Sequence, residues 1–217
     1  MALQLPPFQP LPPPPDDAKE LLEVPVAQLQ PTQLCVGLAE VRHRRGDFAE
    51  ESAKDRRRYL RGKPVPLVRN ASGGLWMLDR HHRLSGLIAV DPDATAFGYV
   101  VLELDLADRR EVLQALLQRG WLYLHDARGQ GPQPPERLPT GLHDLQDDPY
   151  RSLVWALKRE KRIESAPLIP FHEFRWGAWL RSRSLPPFGS LRLGPALPAA
   201  RALVCSRAAS HLAGWVG

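Results

Sequence analysis

Leu75-Trp76-Met77-Leu78-Asp79-Arg80-His81-His82-Arg83-Leu84 is the stretch on which the reading of this chain turns. Four mostly apolar residues read as a short buried strand and run straight into a dense polar cluster. Leu84, Leu87, Ile88 and Val90 then follow at helical spacing, so the cluster marks the handover from strand to helix. A helix start leaves backbone N–H groups unpaired and carries the positive end of the helix dipole, so anions are welcome there. Two imidazoles and an arginine at that point form a candidate phosphate cradle, with Asp79 placed to bind a metal or orient a histidine.

Working outward, Pro64 to Arg69 reads as a strand joined to Leu75–Asp79 by Asn70-Ala71-Ser72-Gly73-Gly74, whose glycines can adopt the positive φ of a tight hairpin. Upstream, Leu21 to Val26 reads as the first strand. Gly37 to Gly62 reads as helical and strongly charged, with Leu38, Val41, Phe48, Tyr59 and Leu60 as buried positions. Downstream, the helix after the cluster ends near Asp91-Pro92, and Tyr99 to Leu104 is an apolar strand. Arg109 to Arg119 is a helix with Val112, Leu113, Leu116 and Leu117 inward. Gly129 to Pro139 is a loop by composition. Pro149–Arg159 and Phe171–Arg181 are amphipathic helices whose Trp155, Trp176 and Trp179 serve as core anchors. The expected fold class is α+β, a small mixed sheet surrounded by helices. Residues 1–20 would form a proline-rich solvated tail, 21–183 one domain with a helical extension, and 184–217 a linker and terminal helix.

A chain of 217 residues can bury a proper core in a single domain. Net charge is +5, mostly from arginine, the better planar phosphate binder, so anionic partners are favoured; an Arg-, Leu- and Pro-rich composition would produce the same skew. Cys35 and Cys205 are too few and too far apart for a disulfide framework or a zinc knuckle, and read as free thiols in a reducing cytosol. No signal-peptide pattern is visible, and no apolar run reaches the ~18–20 residues needed to span a bilayer. The expectation is a soluble cytoplasmic protein.

Asp79-Arg80-His81-His82-Arg83 resembles the Asp-Gly-His-His-Arg signature of the ParB/sulfiredoxin-like superfamily, and within it the ParB-like nuclease group. Val24-Pro25-Val26 with Leu29-Gln30-Pro31-Thr32-Gln33, Val36-Gly37 and Val41 is similar to that group's first strand and Pro-Thr-Gln turn. Glu173-Phe174-Arg175-Trp176-Gly177-Ala178-Trp179-Leu180-Arg181 and the segment Ser206 to Gly217 extend the likeness to the C-terminus. The resemblance implies a ParB/sulfiredoxin-like domain that binds nucleotide phosphate (ATP, ADP or CTP), with phosphotransfer or NTP hydrolysis as the reaction if it is an enzyme.

On that footing Arg83 and His82 hold phosphate, with Arg80, His81 and Gln33 around it; Asp79 and His82 are the catalytic candidates. Arg83 has the chemistry for it, since a guanidinium makes bidentate bonds to phosphate oxygens. Each histidine has a second reading as a hydrogen-bonded structural imidazole. Asp79 has two as well: a ligand to Mg²⁺, which favours one or two carboxylates plus phosphate oxygens, or a helix N-cap. The chain departs from its best-understood relatives at three points. The motif's Gly is Arg80, and the general-base Glu of free serine kinases is Gln33, an amide that accepts no proton at neutral pH. Sulfiredoxin's reactive Cys is His81, which excludes sulfinic-acid reduction through that thiol. A second function class is DNA binding or cleavage through Arg42, Arg44, Arg45, Arg56, Arg57 and Arg58. A third is a non-catalytic interaction module with a degenerate pocket.

Overall fold

The computed structural model describes residues 7–217, so the expectation for the tail over residues 1–6 lies outside the described residues. The strands, in chain order, are β1 (Leu22–Pro25), β2 (Leu29–Pro31), β3 (Cys35–Val36), β4 (Val65–Asn70), β5 (Leu75–Met77), β6 (Thr95–Leu104) and β7 (Gln146–Asp147). The helices are α1 (Leu38–Glu50), α2 (Ala53–Arg61), α3 (His81–Ile88), α4 (Arg109–Gln118), α5 (Pro149–Arg159), α6 (His172–Arg181) and α7 (Leu197–Val204). Five strands form one mixed sheet in the order β1-β6-β4-β5-β2, and β3 pairs with β7 in a separate two-stranded ladder. The α+β expectation holds.

The hairpin β4–β5 sets the frame. Gly73 takes φ +81 in its turn, and the antiparallel register pairs Leu67 with Met77 and Val68 with Trp76. Successive strand residues face opposite sides of a sheet. Accordingly Met77 joins one core, with Leu29, Leu67, Leu84 and Leu87, whereas Trp76 joins the other, with Val68, Val112, Leu113 and Leu116. Helices α1, α2 and α3 contribute to the first face and α4 to the second. Helix α3 can lie close on α1 because Gly86 has no side chain: a Cβ there would sit 2.7 Å from the Arg44 Cβ. A third cluster, centred on Leu153, Leu157, Trp176 and Leu180, joins α5, α6 and α7.

Several expectations needed revision. The helical stretch Gly37–Gly62 is broken at Glu51-Ser52, where the Ser52 hydroxyl caps α2 by accepting the Asp55 N–H at 3.2 Å. Leu38, read as inward, is exposed at the mouth of α1. Strands β2, β3 and β7 have no counterpart among the expected elements. The proline-rich segment is docked where it is described: Phe8 and Leu11 pack on the second core, and Gln9 N–H donates to the Arg119 carbonyl at 2.9 Å.

Candidate functional site

At the end of β5 the chain turns through Leu78, Asp79 and Arg80 into α3. Arg80 is the N-cap residue, with φ 76 and ψ 13, the left-handed region where a side chain is strained. Asp79 therefore sits one position too early to cap the helix. Its Oδ1 accepts the Arg80 N–H at 2.6 Å and its Oδ2 pairs with Arg80 Nη1 at 2.8 Å. The Asp79 carboxylate is thus already engaged by the Arg80 guanidinium, and among the described residues no three His, Cys, Asp or Glu side chains converge.

The two histidines point to different backbone partners. His81 Nε2 accepts the Thr32 N–H at 3.2 Å, and His82 Nε2 accepts the Gly37 N–H at 2.8 Å. Both therefore fasten the segment between β2 and α1 onto α3. Burial pushes each imidazole down to about 3, with Arg151 adding to the effect at His82, so both are neutral and contribute no positive charge. With Nε2 accepting, His82 carries its proton on Nδ1, which faces Glu40 Oε2 at 3.7 Å. Both rings thus make the backbone hydrogen bonds of a structural imidazole, and both residues also line the cavity beside them.

Beside the cluster opens a cavity of about 510 Å³, lined from α1 by Glu40 and Arg44, from the α3 junction by Asp79 to Arg83, and from α5 and α6 by Arg151, Lys158, Glu173 and Phe174. Gln33 also lines it, its amide Nε2 donating to the Cys35 carbonyl at 2.7 Å. Five cationic side chains face three carboxylates. Arg83 Nε donates to the Tyr59 hydroxyl at 3.1 Å, but its Nη1 is buried without a partner; so are Arg44 Nε, Arg80 Nε, and Nε and Nη1 of Arg151. No side chain caps the first turn of α3. Unpaired buried donors are costly and rare in folded proteins, and here four arginines share one cavity.

The carboxylates differ in character. Burial pulls Glu173 up, but Arg151 and Lys158 outweigh it and hold it at about 2. Glu40 is raised, by burial first and by Glu173 next, although Arg44 lies 3.4 Å away. Glu40 is thus the more basic carboxylate, next to a neutral imidazole.

The expected DNA-contacting arginines differ in their partners. Arg44 lines the cavity, Arg57 is paired with Glu23 and lies 4.9 Å over the Phe97 ring, and Arg58 is 3.4 Å from Asp55. Arg42, Arg45 and Arg56 have no carboxylate partner among the described residues. Arg151 gives no signal in the sequence because it looks like any other charge on the amphipathic helix α5, which also carries Lys158 and Arg159; Glu173 lies in the segment that extends the family resemblance, with no role implied by it. Cys35 is buried and pushed up to about 12, which makes its thiol inert.

The family model described as "Putative ParB-like nuclease" matches residues 22–182. Among solved structures, the chain is similar to protein Atu1540 from Agrobacterium tumefaciens, with 30% identity and a TM-score of 0.78 over 91% of this chain and 98% of that one. No curated protein matches.

Proposed function

This chain belongs to the ParB-like nuclease family, and on that premise we propose that its cavity binds the phosphate end of a nucleotide, with ATP, ADP and CTP as candidates. One observation carries the reading: four arginines, from α1, the α3 junction and α5, line one cavity at the uncapped start of α3, and each keeps at least one buried N–H without a partner. A phosphate offers acceptor oxygens to these guanidinium groups, in charge-assisted bonds that are stronger than neutral ones. The volume lies within the range of small-molecule sites. An open cavity here also counts against an interaction module whose pocket has closed.

In this reading Arg83 and Arg151 hold the phosphate, Arg44 and Arg80 complete its charge balance, and Gln33 positions a second group. The histidines keep the walls together. Glu40, raised by burial, accepts the proton of a hydroxyl or water that attacks the terminal phosphorus of a bound triphosphate, the phosphoanhydride P–O bond breaking to release the nucleoside diphosphate. A thermal-shift panel of ATP, ADP, CTP and GTP, with and without Mg²⁺, tests this on wild type and Arg83→Ala. A ligand at about 100 times its dissociation constant stabilises the fold by about 2.7 kcal/mol. The expected result is a shift in wild type that Arg83→Ala abolishes. A shift that survives Arg83→Ala contradicts the pocket assignment.

A DNA reading draws on the family description and on Arg42 and Arg45, both exposed on α1. Counterion release requires its affinity to fall steeply with salt. Duplex binding that is salt-insensitive removes it.

A further inference from the structure

The family match begins at residue 22, but the cavity is also lined by Phe8 and Leu11 from the segment before it. Three hydrogen bonds hold that segment in place. Gln9 N–H donates to the Arg119 carbonyl at 2.9 Å, Trp121 Nε1 donates to the Gln9 carbonyl at 2.7 Å, and the Tyr99 hydroxyl donates to the Pro12 carbonyl at 3.1 Å. Gly120 makes the docking possible: it takes φ +68, and a Cβ there would lie 2.8 Å from the Phe8 Cα.

The docked segment meets an aromatic row. The Phe8 ring contacts Phe171 edge-on at 5.7 Å, Phe171 contacts Phe174 at 5.8 Å, and the Arg151 guanidinium lies 3.5 Å over Phe174. The cavity is therefore lined both by apolar side chains, Phe8, Leu11 and Phe171, and by cations, Arg83 and Arg151 among them. A small free anion would satisfy only the cations.

We infer that Phe8 and Leu11 are specificity-determining residues that make the site select phosphate esters carrying a compact apolar or aromatic group over esters without one. The inference rests on the phosphate reading of the cavity. The apolar group of the ester lies against Phe8 and Leu11 while its phosphate reaches the arginines, so burial of apolar surface adds to the charge-assisted bonds.

The test is a calorimetric titration of phenyl phosphate and methyl phosphate, which carry the same phosphate group, into the full chain and into its Phe8→Ala/Leu11→Ala variant. Wild type is expected to bind phenyl phosphate on the order of tenfold more tightly. The double variant should lose most of that ratio and keep its affinity for methyl phosphate, which also reports an intact fold. Equal binding of the two esters by wild type, a ratio unchanged in the variant, or a variant that loses methyl phosphate as well overturns the assignment of Phe8 and Leu11 and leaves the phosphate site standing. Failure of both esters to bind wild type defeats the phosphate reading itself, and this inference with it.

Discussion

Arg80 carries the local cost of the site. A non-glycine residue at φ 76 costs on the order of 1–3 kcal/mol. Arg80→Gly is therefore expected to raise stability by about 1 kcal/mol in denaturant unfolding, and to weaken anion binding by removing one of the cavity's cations. The neutral histidines give a pH signature. Their folded values, about 3, lie below the ordinary value of about 6.5. Their stabilising contribution is thus complete above about pH 6.5 and is lost as pH falls through the folded value near 3. Unfolding midpoints measured from pH 7 to pH 3 should fall through that window. His82→Ala, which leaves the Gly37 N–H without its acceptor, should cost about 1–3 kcal/mol at neutral pH. The motif was legible as a cluster, but not the role of each residue. The partners of His81 and His82 lie 49 and 45 residues away in the chain, and only the fold brings them together.

Helices α1 and α3 both line the cavity, so their spacing is part of the site. Gly86→Val would drive a side chain into Arg44 and the α1 backbone. It should cost about 1–3 kcal/mol in stability through overpacking and weaken phosphate affinity by moving Arg44 away from Arg83; paired denaturation and titration measurements check both. The long helices and the β4–β5 hairpin were legible because periodicity and turn glycines are local signals. Strands β2, β3 and β7 were not, since pairings of two or three residues leave no period, and their partners are distant in sequence. The break before α2 did leave a local mark, Ser52 three residues ahead of Asp55.

At the scale of the whole molecule, the C-terminal helices complete the cavity: α5 and α6 bring Arg151, Lys158 and Glu173 to face α1 and α3. Arg181 on α6 holds Asp148, the N-cap of α5, with two contacts of 2.7 Å to its carboxylate. Arg181→Ala strands that largely buried carboxylate and should destabilise the fold by about 3–5 kcal/mol, read as a drop in the denaturant midpoint. Sequence conveyed that α5 and α6 exist but not that they close over the motif, because a buried arginine such as Arg151 looks like any other charge on an amphipathic helix. The most direct test of the phosphate site is a crystal structure of the chain soaked with ATP. The account predicts phosphate density in the cavity, within hydrogen-bond reach of the Arg83 and Arg151 guanidinium groups. Nucleotide bound elsewhere on the surface, with the cavity holding only water, would contradict it.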